Sequence, residues 1–439
     1  MVSSSSHADG VLATIVDHVR DRLGERIATV FDSCVRNTLD TTISPMPDGT
    51  AFMVTGDIPA MWLRDSTAQL GPYLQLADQI PELADTIVAV LRRQLAYVAI
   101  DPYANAFNRE PDGAGHSDDV TELSPWVWER KYEVDSLCYP LALAFDLWAA
   151  TGRTDHLDSQ FAAAAYAALT LWRVEQDHDA RSPYRFQRLD GPSSDTLVRE
   201  GLGARTTPVG LTWSGFRPSD DATELGFNIP GNAFAVVVCR AIARIATEVL
   251  DDAELAAEAT ALGPEIDAAI HAHGVVDVEG IGRVLAYEVD GAGGHVLMDD
   301  ANVPSLLSLP MLGWCDLDDP LYVATRQLLL SERNPYFTRG SHAAGIGSPH
   351  TPAGWVWPIA LAVQGLTSND PDERQYLLET LVRTEAGTDL MHESFDPDAP
   401  ERFTRPWFSW ANAMFCELTL DVAGLRRYRR RVDGAVGPS

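Results

Sequence analysis

NAFAVVVCRAIARIA, residues 232–246, is apolar nearly all the way round a helix, and DDAELAAEATAL at 251–262, just beyond it, is amphipathic and acidic. A helix with no polar face belongs between layers, whereas one with a charged stripe faces water. Joined by a short turn, two such helices form an antiparallel hairpin with one arm inside. The contrast recurs along the chain. WVWPIALAVQGL (355–366) and WFSWANAMFCEL (407–418) are apolar all round, while PELADTIVAVLRRQL (81–95) and DPDERQYLLETL (370–381) carry acidic stripes.

The 3.6-residue pattern predicts twelve helices, near 11–39, 60–78, 81–100, 132–151, 154–177, 230–249, 252–272, 301–313, 318–331, 352–367, 370–385 and 406–425. Links after the even-numbered helices are short, and those before them are long: 40–59, 101–131, 178–229, 273–299, 332–351 and 386–405. Every long loop therefore falls at the same end. Six hairpins with apolar even helices inside and acidic odd helices outside predict an all-α (α/α)6 toroid. One such ring uses the whole chain, so the 439 residues need no second core. The expected layout is a disordered tail at 1–10, a single catalytic domain at 11–430 and a C-terminal tail at 431–439. Strand signals are few: a hairpin around the Gly-rich turn in VLAYEVDGAGGHVLM (284–298), and a short strand at YRFQRL (184–189).

A net charge of −30 argues against nucleic acid or an anionic membrane as partner. The five cysteines, Cys34, Cys138, Cys239, Cys315 and Cys416, are dispersed and form no C-x-x-C pair. They read as free thiols in a reducing compartment. MVSSSSHADG lacks the features of a signal peptide, and no apolar run reaches membrane length, so the expected location is cytoplasmic.

The chemistry gathers at the long-loop end. TGDIPAMWLRDSTAQLGPY (55–73) places Trp62, Arg64, Asp57 and Asp65 within nine residues, with Pro59 as helix opener and Leu70, Leu74 and Ala77 running inward. The other long loops are rich in Trp, carboxylate, Arg and Asn. Aromatic faces stack on the C–H face of a pyranose while charged groups bind its hydroxyls, so the set suits a sugar site. Glycoside hydrolysis needs two carboxyls. Asp220-Asp221, with Glu224 a turn later, supplies one candidate, and repulsion between the neighbours is expected to raise one pKa toward acid duty. Glu393, in MHESF, is the other. His342, His350 and His392 could approach one another, but they lack helical ligand spacing and there is no H-E-x-x-H, so no metal and no cofactor are expected. P-loop, dinucleotide-binding and G-x-S-x-G motifs are absent too.

TGDIPAMWLRDSTAQL (55–70), WERKYEVDSLCYP (128–140), TWSGFRPSDDATELGFNIPGNAFA (212–235), MDDANVPSLLSLP (298–310) and the HESFD-to-FSWANAMF run (392–415) resemble glycoside hydrolase family 125 over nearly the whole chain. The resemblance implies an (α/α)6 fold and an exo-acting α-1,6-mannosidase that inverts the anomeric centre without a metal. It puts the general acid on Asp220, with Asp221 as the neighbouring choice, and the general base on Glu393. It further implies that Trp62, Arg64, Asp65, Glu129, Tyr132, Trp213, Asn302, His342 and His350 contact the terminal mannose of an oligosaccharide substrate. The alternatives are a metal-dependent or otherwise specific glycosidase on the same toroid, and a non-catalytic sugar-binding ring.

Overall fold

The structure is a computed structural model that describes residues 6–434. Its helices run α1 (Ser6–Leu23), α2 (Glu25–Thr41), α3 (Leu63–Ala68), α4 (Gly71–Leu74), α5 (Pro81–Ile100), α6 (Val134–Thr151), α7 (Ser159–Glu175), the single turns α8 (His178–Arg181) and α9 (Val198–Gly201), α10 (Ile229–Ile245), α11 (Ala253–His273), α12 (Leu309–Leu312), α13 (Pro320–Leu329), α14 (Pro358–Leu366), α15 (Pro371–Arg383) and α16 (Ser409–Val422). They form the (α/α)6 toroid. The inner ring is α3–α4, α6, α10, α12, α14 and α16; α2, α5, α7, α11, α13 and α15 surround it. Helix α6 shows why: Val134 to Ala149 are all buried, so no face is left for water.

The short turns are written in aspartates. Asp158 accepts from the N–H of Gln160 and Phe161, Asp252 from Leu255, Asp319 from Leu321 and Tyr322, and Asp370 from Asp372. Each caps the N-terminus of an outer helix, where orphan donors and the helix dipole both favour a carboxylate. The long segments at the other end carry small antiparallel ladders: β1 (Ile43–Pro45) with β2 (Ala51–Met53); β3 (Met61–Trp62), β4 (Ala106–Phe107) and β5 (Val127–Glu129); β6 (Phe227–Asn228) beside β9 (Glu288–Val289) and β10 (His295–Val296); β7 (Val275–Val278) with β8 (Gly282–Leu285); β11 (Phe337–Arg339) with β12 (Ala344–Ile346); and β13 (Phe395–Asp396) with β14 (Ala399–Phe403).

The expected hairpin within 284–298 is present as β9–β10, while 184–189 forms only an isolated bridge, Gln187 to Val120. Several expected helices differ; that at 352–367 starts only at Pro358, since Val356 bridges Phe395. The 11–39 helix is split at Gly24, whose φ of 93° ends α1 and starts α2. The 60–78 helix starts later, at Leu63, because residues 61–62 pair with β4, and it breaks again at Gly71-Pro72. The 301–313 helix is mostly turns, since Asp299 takes the N–H groups of Leu306 and Leu307 and leaves only α12. Of the expected tails, 1–5 and 435–439 lie outside the described residues, while residues 6–10 open α1 as helix.

All five cysteines are free thiols, four buried and Cys315 half-buried. No described helix is long and apolar enough to cross a membrane.

Candidate active site

The ring closes where its ends meet. Ser409 N–H donates to Thr55 O at 2.8 Å, and Gly56 bridges Phe408. Gly56 is required there, because a Cβ would collide with the Trp407 carbonyl. Pinned between this bridge and β4, Trp62 acts as N-cap residue of α3, and Arg64 and Asp65 follow in its first turn.

These residues open onto a cleft of about 460 Å³ at the long-loop end, lined by Thr55, Trp62, Arg64, Asp65, Asp220, Asn302, His350, Trp357, Glu393, Arg405, Phe408 and Trp410, among others. Asp220 and Glu393, 173 residues apart by their numbering (393 − 220), thus border the same space. Of the candidate set, Trp62, Arg64, Asp65, Asn302 and His350 share it with them.

Arg64 is the electrostatic centre. Its buried guanidinium donates from Nη1 to Glu133 Oε2 (2.5 Å) and Asp135 Oδ2 (3.3 Å), and from Nη2 to Asp220 Oδ1 (2.9 Å). It lies 5.8 Å from the Trp410 ring centre. Asp220 has φ 67°, a left-handed conformation tolerated by aspartate, and its carbonyl accepts from Lys131 Nζ at 2.8 Å. Burial opposes ionisation of Asp220, but Arg64, a hydrogen bond with Glu133, Lys131 and His350 outweigh it and hold the carboxyl well below the usual carboxylate range. At Asp220 the expected upward shift is therefore reversed. Burial drives Asp65 and Asp135 up to about 6 against the pull of Arg64, and pushes Glu133 up as well. Asp221 does not line the cleft. It takes a hydrogen bond from Ser219 Oγ (3.2 Å) and lies 3.7 Å from His350 Nδ1. Glu224 is on the surface, 3.2 Å from Arg217.

Glu393 is 6% exposed and faces Arg405 Nη1 at 3.5 Å. Arg405 has φ 44°, sits 4.6 Å from the Phe408 ring centre and donates to Asp57 Oδ1 from Nε (2.9 Å) and Nη2 (2.6 Å).

Four candidates stand away from the cleft. Trp213 is 0% exposed, stacked on His178 at 3.6 Å, and Tyr132 is 1% exposed in a cluster with Tyr103 and Tyr184. Both rings are spent on packing beneath the long loops. Glu129 takes Arg188 Nη2 (2.9 Å) on one oxygen and Asn105 Nδ2 (3.0 Å) on the other; Asn105 in turn lies 3.3 Å from Asp220 Oδ1. His342 is an exposed loop residue whose backbone N–H donates to Pro397 O. His392 stacks flat on Phe403 at 3.6 Å. Among the described residues, no group of three His, Cys, Asp or Glu side chains is arranged to hold a metal ion.

Trp357, Arg405, Phe408 and Trp410 complete the cleft and were not singled out from sequence, although each lies within an aromatic run that was. Glu133 and Asp135 were also passed over. Their signal was two acids at the start of an otherwise apolar helix, which demands a buried cation.

A helical ring whose cleft is lined by aromatic side chains and two carboxyls remote in sequence fits a carbohydrate-active toroid. The chain belongs to glycoside hydrolase family 125, the metal-independent α-mannosidases, whose profile matches residues 24–420. It is 48% identical to a Streptococcus pneumoniae metal-independent α-mannosidase, solved in a non-productive complex with α-1,6-mannobiose, at a TM-score of 0.93 over 95% of this chain and 99% of that one. It is also 40% identical to the meiotically up-regulated gene 157 protein of Schizosaccharomyces pombe, over 95% of this chain and 86% of that protein. A bacterial glucoamylase bound to acarbose, 13% identical, shares the fold at a TM-score of 0.56 over 84% of this chain and 49% of its own.

Proposed function

We propose that this α-mannosidase is exo-acting and inverting, and removes terminal non-reducing mannose from α-1,6-linked mannosides such as N-glycan or mannan fragments. The observation that carries the reading is the shared cleft of Asp220 and Glu393, lined also by Trp62, Arg64 and Trp410. The linkage is supported by the mannobiose held by the pneumococcal relative.

In this reading Trp62 and Trp410 take the apolar face of the sugar while Asp65, Asn302 and His350 bind hydroxyls. Asp220 protonates the glycosidic oxygen as its bond to C1 breaks. Glu393 takes a proton from the water that attacks C1 from the opposite side. Arg405, against Glu393 and anchored by Asp57, fixes the base's direction. Inversion needs room for the water, so the two carboxyls are expected roughly 6.5–9.5 Å apart in a sugar complex.

Proton NMR of digests of α-1,2-, α-1,3- and α-1,6-mannobiose tests linkage and stereochemistry together. β-Mannose is expected first, from the α-1,6 isomer; α-mannose as first product overturns inversion. Asp220→Asn and Glu393→Gln are each expected to lower kcat by about 10²–10⁴-fold while mannobiose still binds. Full activity in either variant rejects that assignment. The free-thiol set supports a cytoplasmic location, which cell fractionation checks.

A further inference from the structure

A general acid has to hold a proton, yet Asp220 is surrounded by donors. Arg64 Nη2 and Asn105 Nδ2 both reach Oδ1, and Lys131 Nζ holds the backbone carbonyl. Its neighbour Glu133 is built in the opposite sense. Glu133 side chain is 0% exposed at the head of α6. Its Oε2 accepts from Arg64 Nη1 (2.5 Å) and Ser136 Oγ (2.7 Å), but Oε1 is buried with no donor among the described residues. A bare carboxylate oxygen in a dry pocket is costly, whereas a protonated one becomes a donor and needs only an acceptor. The acceptor beside it is Asp220, held at 2.9 Å by the other arm of the same Arg64 guanidinium.

We propose that Glu133 and Asp220 hold one proton between them across the Arg64 fork, and that Glu133, as a positioning residue, supplies it to Asp220 when the leaving oxygen docks. The proposal rests on the reading of Asp220 as general acid.

The surrounding charges fit a single shared proton. Arg64 touches three carboxyls, Glu133, Asp135 and Asp220, with Asp65 beside it on α3. Lys131 and His350 face the pair from the loops. The donorless Oε1 of Glu133 and the two donors on Oδ1 of Asp220 place the resting proton on Glu133, and burial pushing Glu133 up while the cations press Asp220 down acts in the same sense. Moving it to Asp220 leaves the net charge of the pocket unchanged, because Glu133 becomes the anion on Nη1 as Asp220 becomes neutral at Nη2. Asp220 then passes that proton to the glycosidic oxygen as the C1–O bond breaks, and the alcohol leaves neutral. Water oxygen bonds to C1 and gives its proton to Glu393. Afterwards Glu393 releases a proton to solvent, and the Glu133–Asp220 pair takes one back.

Glu133→Gln keeps the shape and the Arg64 contact but carries no transferable proton. On α-1,6-mannobiose its kcat is expected to fall about 10²-fold, with KM little changed and the alkaline limb of kcat/KM moved to lower pH. On 2,4-dinitrophenyl α-mannoside, whose leaving group departs without a proton, the loss is expected to be small. Equal losses on both substrates, or an unmoved alkaline limb, overturn the proposal. Asp220→Asn is the reference. If it too loses equally on both substrates, the general-acid assignment itself fails; if it spares the aryl mannoside and Glu133→Gln does not, only the shared proton fails. A second readout does not depend on the Gln variant folding. Difference infrared spectra of the wild type and Asp220→Asn are expected to show a buried protonated carboxyl at neutral pH that responds to loss of Asp220; no such band overturns the proposal.

Discussion

His350 stands at the cleft rim, where burial opposes its charge but Asp221, Asp220 and Glu393 push it up to about 9. A histidine raised on folding stabilises fully below its unfolded value near 6.5, and that contribution is lost as pH rises through about 9. Asp65 and Asp135 act in the same direction for the opposite reason. Burial lifts both to about 6, so the folded state holds protons that the unfolded chain releases near 4, and stability falls as pH climbs through that interval. The melting temperature is therefore expected to decline from about pH 5 to about pH 9. Asp65→Asn should flatten the acid part of the decline and His350→Gln the alkaline part, as calorimetry across pH would show; an unchanged profile in both variants contradicts the charge assignment. At this scale the sequence was partly readable. Asp220, Glu393, Trp62 and Arg64 come from runs dense in polar and aromatic residues, and the ring brings them together. Trp213 and Tyr132 come from equally dense runs, but long loops need a core of their own, and nothing local separates a ring that packs a loop from one that meets a ligand.

At the scale of elements, an aspartate before four outer helices sets where each hairpin turns. Asp252→Ala removes the acceptor of the Leu255 N–H and is expected to cost about 1 kcal/mol in denaturant unfolding, with kcat unchanged. A change within error would mean that solvent replaces the cap. Helix number and the inside–outside alternation were legible because apolar periodicity is a local property. The breaks were less so. Gly24 and Gly71-Pro72 are visible as letters, but the late start of α3 depends on Met61 and Trp62 pairing with Ala106 and Phe107, some 45 residues along by numbering (106 − 61). The turns before α12 likewise depend on the Asp299 side chain displacing helical hydrogen bonds.

For the whole molecule, the decisive contacts join distant parts of the chain. Behind Trp410 a second pocket lies among Leu74, Leu143, Met414 and Glu417, deeper along the inner helices than the cleft. Segment 426–430 straps it. Gln75 Oε1 accepts from the N–H groups of Arg427 and Tyr428, and Asp146 accepts from Tyr428 Oη (2.8 Å) and Arg430 Nε (2.9 Å). Asp146→Ala strands the Arg430 charge against the Phe234 ring and is expected to cost about 3 kcal/mol in stability. Chemical denaturation measures it, and a loss no larger than that of an exposed pair would show the strap to be dispensable.

That strap lies across the inner helices on the side away from the cleft, so the cleft has the shape of a cup with its lip at the long loops. Under the exo-acting reading proposed above, a cup is filled and emptied over one lip, so a freed hexose at the bottom has to wait for the shortened glycan to back out before it can leave. Such an enzyme would work by repeated visits, trimming one unit per encounter, and free sugar in the medium would slow it by occupying the bottom before the next chain end arrives.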